Sequence, residues 1–208
     1  FTGGGRAGLA LKQASGLVRC LMELGGNDPL IVMHDADLAT AVATATTQRF
    51  EIAGQSCAAV KKLYLHSAIE SEFIERLLEV VANYLHGDPA LPDTQMGPVI
   101  DETAAADIIS RLLEAQSGGA KLLFGGTRDG VMVKPTIMSD VGQSTRLFAT
   151  ETFGPVLALR RFGSLDQVIT ELNASAFGLQ AGIFTNDHAA IRNLGRNLQV
   201  GGLMVNEG

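Results

Sequence analysis

Cysteine is scarce in this sequence, which contains only Cys20 and Cys57 among its 208 residues. Two cysteines are too few for a disulfide framework, so we expect a reducing compartment and predict a cytoplasmic protein. The chain also lacks an apolar run of the roughly 18 residues that a membrane-spanning helix requires. Its opening residues, FTGGGRAG, do not show the basic stretch and apolar core of a signal peptide. These absences predict a protein without a membrane partner.

Basic residues are also few: 16 Lys and Arg stand against 22 Asp and Glu, for a net charge of −6. Because they are scattered rather than clustered, nucleic acid is not expected as a partner. The histidines lack metal-ligand spacing and are expected on the surface or in loops, so no metal site is predicted. They are His34, His66, His86 and His188. The apolar share of 46% is typical of a globular protein with a core.

Helical and strand patterns alternate along the chain. Helical periodicity or capping signals predict helices over 5–14, about 35–50, 68–85, 102–117, 164–173 and 187–197. Apolar or alternating segments predict strands over 19–23, 29–33, 61–66, about 121–126, 131–138, 156–162, 181–185 and 202–206. This alternation predicts an α/β fold with a mostly parallel sheet and flanking helices.

Both ends of the chain look cut. Phe1 leads directly into a glycine-rich turn, and the closing residues GGLMVNEG read as a strand that runs into a loop. Domains more often end in a polar and loosely held tail. We therefore expect a fragment of a longer protein.

A glycine-rich turn opens the chain. Residues 3–8 satisfy the G-x-G-x-x-G pattern of dinucleotide-binding folds, with the acidic Glu23 downstream. No strand precedes the turn as that pattern requires, so a simple glycine turn before a helix is the favoured reading of this segment alone. In either case the helix N-terminus offers free N–H groups to a phosphate.

Two further segments carry candidate chemistry. In MELGGN, Glu23 ends an apolar segment, and partial burial would make it a usable general base. A salt bridge at a strand end explains the same carboxylate equally well. In AGQSCA, Cys57 follows a glycine turn among small residues, where a thiolate would be accessible to a substrate. The alternative, a buried small apolar residue, is our prediction for Cys20.

The order of these segments is more specific than any one of them. FTGG, ELGGN, a G-Q-x-C loop, ETFGPV, N-x-x-x-FGLQAGIFT and GGLMVN follow one another from the first residues to the last. This arrangement resembles the aldehyde dehydrogenase superfamily over essentially the whole chain. The interval between Glu23 and Cys57, 57 − 23 = 34 positions, fits the same pattern.

The resemblance implies a covalent mechanism with NAD or NADP as the cofactor. Cys57 would attack the carbonyl of a small aldehyde, and the thiohemiacetal would lose hydride to NAD(P)+ and become a thioester. Glu23 would then activate the water that releases the carboxylic acid. The backbone N–H of Cys57 would help to hold the oxyanion.

The resemblance also implies cofactor contacts. Glu151 matches the carboxylate that binds the nicotinamide ribose, and Phe153 matches an aromatic ring that steadies the cofactor. Gly3 matches a glycine beside the pyrophosphate, and Leu24 is placed with the same contacts. Gly4 stands where the family has a serine, which removes one hydroxyl donor from this turn.

The family pattern divides the chain into two parts. Residues 1–26 would be the tail of the NAD(P)-binding domain, and residues 27–208 a C-terminally incomplete catalytic domain. The family's upstream half is missing, including an asparagine of the oxyanion hole and a lysine near the ribose. The full-length protein would be a homo-oligomer.

Two rival functions stay open. One is a cofactor-independent thiol esterase built on Cys57, although such enzymes usually pair the cysteine with a histidine. The other is an inactive fragment or interaction domain that keeps the family core. The segments ELGGNDPLIVM and AGQSCAAVKK also resemble the phosphonoacetaldehyde and semialdehyde dehydrogenase branch. Lys61 and Lys62 could favour an anionic substrate, but we expect surface charges at the start of a strand.

Overall fold

A computed structural model describes residues 1–207. Its helices are α1 (Gly5–Ala14), α2 (Leu38–Phe50), α3 (Glu70–Ala82), α4 (Glu102–Ser117), α5 (Arg146–Ala149), α6 (Leu165–Asn173) and α7 (His188–Asn197). Its strands are β1 (Asp28–Val32), β2 (Val60–His66), β3 (Lys121–Phe124), β4 (Arg128–Asp129), β5 (Met132–Val133), β6 (Thr136–Ser139), β7 (Val156–Phe162), β8 (Gln180–Phe184) and β9 (Gly202–Val205). In this part of the chain no helix is long and apolar enough to cross a membrane.

Seven of the strands form one sheet in the order β3-β6-β7-β2-β1-β8-β9. Every neighbouring pair is parallel except β3 and β6, which are antiparallel. The short strands β4 and β5 pair separately. The prediction of an α/β fold with a mostly parallel sheet is therefore confirmed.

Strand β2, at the centre of the sheet, is buried more completely than the sequence predicted. β1 is buried along its whole length, and in β2 every residue except the last is buried. A parallel strand covered on both faces has no solvent side, so its polar residues are buried with its apolar ones. Lys61 and Lys62 are 2% and 4% exposed, and the expectation that they are surface charges is wrong.

The segment after α1 also differs from expectation. Residues 19–23 do not form a strand. Within this segment, the backbone of Glu23 makes an isolated β-bridge to Thr2. Cys20 is half-buried beside the hydroxyl of Ser15, at 3.3 Å, so the expectation of a buried core cysteine is also wrong. With no neighbouring strand to complete a ladder, this part of the chain stays extended and open to solvent.

The connection from α2 to β2 carries Cys57. The Asp37 carboxylate caps α2 by accepting hydrogen bonds from the N–H groups of Ala39 and Thr40. α2 ends at Phe50, and a tight turn over Glu51–Gly54 follows. The chain then passes through Cys57 into β2.

Candidate active site

One cavity of about 550 Å³ lies between the first residues of the chain, the loop before β2 and the segment before β7. Every site residue that the sequence analysis predicts lines this cavity. Its lining consists of Thr2, Gly3, Gly4, Glu23, Leu24, Gly25, Ile52, Gln55, Ser56, Cys57, Glu151 and Phe153. The fold therefore brings together residues that are up to about 150 positions apart in sequence.

The Cys57 loop enters the cavity from a strained turn. Ile52 and Ala53 both have φ of 53°, a left-handed conformation that costs a β-branched residue such as Ile52 most. The buried Arg49 guanidinium donates to the carbonyl of Gly54 at 2.5 Å and to that of Val60 at 3.1 Å. These hydrogen bonds fasten both ends of the loop, so the half-buried Cys57 is held at the cavity wall.

Lys61 fastens the middle of the same loop. Its ammonium donates to the carbonyl oxygens of Ser56, at 2.8 Å, and Cys57, at 2.6 Å. It also lies 3.6 Å from a carboxylate oxygen of Glu151. Burial, followed by the nearby positive charge of Arg49, lowers the pKa of Lys61 to about 8. The group is therefore still mostly an ammonium at neutral pH.

Two glycines allow the Glu23 segment to approach these groups. A Cβ on Gly25 would overlap the Glu151 carboxylate, and one on Gly26 would overlap the Cys57 carbonyl oxygen. Glu151 also accepts a hydrogen bond from the N–H of Gly26 at 3.1 Å. The ELGG sequence is thus explained by a close backbone approach that a side chain would prevent.

Glu23 itself is exposed, so the partial burial that would make it a better base is not present. Its backbone pairs with residues 1–3 on one side, where the Gly3 N–H donates to the Glu23 carbonyl at 3.0 Å. No further layer covers its side chain within residues 1–207. The residue nevertheless lines the same cavity as Cys57.

The cavity has features that suit a dinucleotide. Phe153 is 47% exposed and presents its ring at the wall. α1 begins beside Gly4 without a side-chain hydrogen bond to its first turn and without an acidic residue there. Space is open around Gly4, where a Cβ would find no atom within 4 Å. An unobstructed helix N-terminus at a cavity fits a pyrophosphate.

Comparison with known proteins decides the family. A model of the aldehyde dehydrogenase family matches residues 1–208. The chain belongs to this family. Among its relatives, sulfoacetaldehyde dehydrogenase of Neptuniibacter caesariensis is 41% identical over all of this chain, which covers 46% of that protein. 3-Sulfolactaldehyde dehydrogenase of Priestia aryabhattai is 37% identical, again over all of this chain and 43% of that protein.

A solved structure of the family gives the same result for the fold. The NADP-dependent glyceraldehyde-3-phosphate dehydrogenase of Bacillus halodurans, complexed with NADP, superposes with a TM-score of 0.96 at 35% identity. The match covers all of this chain and 43% of that structure. The chain thus spans less than half the length of the aldehyde dehydrogenases that it matches.

Three charged residues that the sequence did not predict for the site lie next to the Cys57 loop. Arg49, Lys61 and Asp28 are all buried next to it. Burial raises the pKa of Asp28 to about 7, and its Oδ2 atom has no hydrogen-bond partner among residues 1–207. The segment KKLYLH gives no signal that its lysines are buried, because its alternation also fits a half-exposed strand. Neither lysine lines the Cys57 cavity.

Proposed function

We propose that this chain is the cysteine-bearing part of an NAD(P)-dependent aldehyde dehydrogenase, which oxidises an aldehyde to a carboxylic acid. The observation that carries the proposal is the single cavity shared by Cys57, Glu23, Glu151 and Phe153. It places a nucleophile, a carboxylate base and two candidate cofactor contacts around one volume.

In the proposed mechanism, the Cys57 sulfur attacks the aldehyde carbon and forms a thiohemiacetal. The N–H of Cys57 donates to the developing oxyanion, and the strained loop keeps this donor in place. Glu151 and the Phe153 ring orient the nicotinamide end, while Gly3, Gly4 and Leu24 contact the rest of the dinucleotide. NAD(P)+, when bound, supplies the acceptor for the hydride.

Release of the acid would depend on Glu23. Its carboxylate removes a proton from a water molecule, and that water attacks the thioester carbon to restore the thiol of Cys57. The exposed position of Glu23 suits this role because it leaves the carboxylate in contact with water. In this proposal Cys57 forms the thioester, and Glu23, on a different segment of the chain, promotes its hydrolysis.

For the substrate, we propose an aldehyde that carries an anionic group. The support comes from relatives named for sulfoacetaldehyde, 3-sulfolactaldehyde and aspartate semialdehyde. Each name describes an aldehyde with a sulfonate or carboxylate. Lys61 and Lys62 do not select that anion in this proposal, because their ammonium groups point to carbonyls and to another part of the fold.

We also propose the division into residues 1–26, from the cofactor domain, and residues 27–208, from the catalytic domain. α1 buries Gly8 against Leu24 but leaves Leu9 and Leu11 exposed, as a helix that packs on another domain would. A cytoplasmic homo-oligomer stays our expectation for the complete gene product.

The test is an assay of the complete gene product with sulfoacetaldehyde, phosphonoacetaldehyde and succinate semialdehyde, each with NAD+ and with NADP+. NAD(P)H formation is expected with at least one pair. Cys57→Ala should lower kcat/KM by at least about a thousandfold, because the nucleophile is lost. Cys20→Ala is the matched control and should keep wild-type activity, since Cys20 lies outside the cavity.

Failure of every aldehyde, or an active Cys57→Ala variant, would contradict the proposed function. Ester hydrolysis that depends on Cys57 but needs no cofactor would instead favour the thiol esterase. The cavity lining offers no histidine to such an enzyme. A protein with neither activity would be the interaction domain considered above.

A further inference from the structure

Two consecutive lysines in β2 are equally buried but have different surroundings. The Lys61 ammonium has three oxygen neighbours, on Ser56, Cys57 and Glu151. The Lys62 ammonium lies 4.8 Å from the centroid of the Phe148 ring, beside a separate cavity. Successive side chains of a strand point to opposite faces, and this explains the difference.

We propose that Lys61 is a positioning residue, which ties the backbone of the Cys57 loop to Glu151 and so fixes the nucleophile relative to the cofactor-binding carboxylate. The inference deepens the proposed function and rests on it for the role of Glu151. Its structural part, the attachment of the loop, is independent of any activity.

The first support is the number of attachments that meet at one atom. The Lys61 ammonium donates both hydrogen bonds to the loop, to the carbonyl oxygens of Ser56 and of Cys57 itself, and both are short enough to be charge-assisted. The same ammonium is the ion-pair partner of Glu151. A single side chain therefore joins the loop before β2 to the segment before β7.

The second support is that Glu151 continues the connection to the segment that carries Glu23. Its Oε1 atom lies 3.6 Å from Lys61 and 3.1 Å from the N–H of Gly26. Gly26 in turn lies against the Cys57 carbonyl that Lys61 binds. The Cys57 loop, the segment of Glu151 and the segment of Gly26 thus contact one another around the Lys61 ammonium.

The third support is the cost of burying this charge. A lysine that is 2% exposed loses its hydration, and the neighbouring charge of Arg49 adds repulsion. Asp28 and Glu151 offset part of this penalty. An apolar residue would fill the same position in β2 without the penalty but could not hold two carbonyls. The buried ammonium is therefore explained by the geometry that it imposes on the loop.

The experiment compares Lys61→Met with Lys62→Met in the complete gene product. Both variants remove one buried ammonium from the same strand, so a general effect on folding would appear in both. Hydrogen–deuterium exchange is followed in a peptide that spans residues 52–60. Lys61→Met should raise exchange there about tenfold or more, as expected from losing hydrogen bonds to a charged group. Lys62→Met should leave this exchange unchanged.

Kinetics give the second readout. Lys61→Met should raise KM for NAD(P)+ and lower kcat together, because the loop and Glu151 lose their common partner. Glu151→Gln, which keeps the shape of the side chain, should raise KM for NAD(P)+ in the same way. Added to Lys61→Met it should cause little further loss, since interacting residues are not additive.

Unchanged loop exchange in Lys61→Met would overturn the proposal, and so would an equal increase in Lys62→Met. Additive effects of the Lys61 and Glu151 substitutions on KM would overturn the link to the cofactor carboxylate. If the wild-type protein oxidises no aldehyde, the proposed function fails, but the exchange comparison still decides whether Lys61 holds the loop. If Lys61→Met does not fold, Lys61→Gln, which cannot carry the charge, replaces it in the same comparison.

Discussion

Residues 1–26 and residues 27–207 are built in opposite ways. In the first region α1 buries only Gly8, and large apolar side chains such as Leu17, Val18 and Leu21 are exposed. In the second region a seven-stranded sheet is covered by helices, and the side chains of Leu30, Leu63 and Phe184 are almost completely buried. One region resembles a surface segment, and the other contains the hydrophobic core.

The difference indicates that the core comes from the second region alone, whereas both regions line the cavity of the proposed active site. The first region supplies Glu23, Gly3 and Gly4 to the cavity, while contributing little to the core. The second supplies Cys57 on a loop that is fixed by buried side chains. Functional groups on weakly packed segments, placed against a rigid scaffold, are a common arrangement. Substitutions in the two regions should therefore separate activity from stability.

The largest effect is expected from Glu23→Gln in the first region. If Glu23 is the general base that we propose, its loss should lower steady-state turnover of the complete gene product by about 10²–10⁴-fold. The first turnover should still release NAD(P)H rapidly, because hydride transfer precedes thioester hydrolysis. Stopped-flow measurement of NAD(P)H would show this burst followed by a slow steady state.

The control for Glu23 is Glu75→Gln, which removes an exposed carboxylate from α3. It should leave both phases unchanged. Glu23→Gln should also leave the free energy of unfolding within about 0.5 kcal/mol of wild type, since the side chain is exposed. A Glu23→Gln protein that turns over at the wild-type rate, or one that has lost the burst, would show that Glu23 is not the deacylation base.

A smaller effect is expected when the second region is changed. Leu63→Ala leaves a cavity in the centre of β2 and should lower the free energy of unfolding by about 2–5 kcal/mol. Leu17→Ala, at a fully exposed position, should change it by less than about 0.5 kcal/mol. Urea unfolding of the 208-residue chain measures both. Equal losses would mean that the first region belongs to the same cooperative core.

The sheet and the candidate site residues were predicted from the sequence for different reasons. Residues 29–33 (PLIVM) are a continuous apolar run, and that local signal was enough to predict the buried parallel strand β1. Cys57 and Glu151 were found from the order of motifs, and the fold places both at one cavity. The burial of Lys61 was not predictable from its own segment, because KKLYLH fits a half-exposed strand equally well. Whether both faces of a strand are covered depends on its place in the sheet.

Asp28 lies at the start of β1, where the two regions meet, and its predicted effect depends on pH. Burial raises the pKa of its carboxyl from 3.8 to about 7 in the folded protein. Between these values the native state binds more protons than the unfolded state, so this group's contribution to stability is present at low pH and is lost as pH rises toward 7. The loss reaches at most about 1.4 kcal/mol per pH unit.

Asp28→Asn should remove this pH dependence, because asparagine does not ionise. Relative to wild type, the variant should therefore become progressively more stable between pH 5 and pH 7, as measured by urea unfolding of the 208-residue chain at several pH values. Asp93→Asn, at an exposed position, is the control and should show a constant difference from wild type. A pH-independent difference for Asp28→Asn as well would mean that Lys61 and Lys62 keep Asp28 ionised. The buried groups next to the Cys57 loop would then form ion pairs. Asp28 would be a carboxylate paired with the lysines of β2 and not a neutral acid.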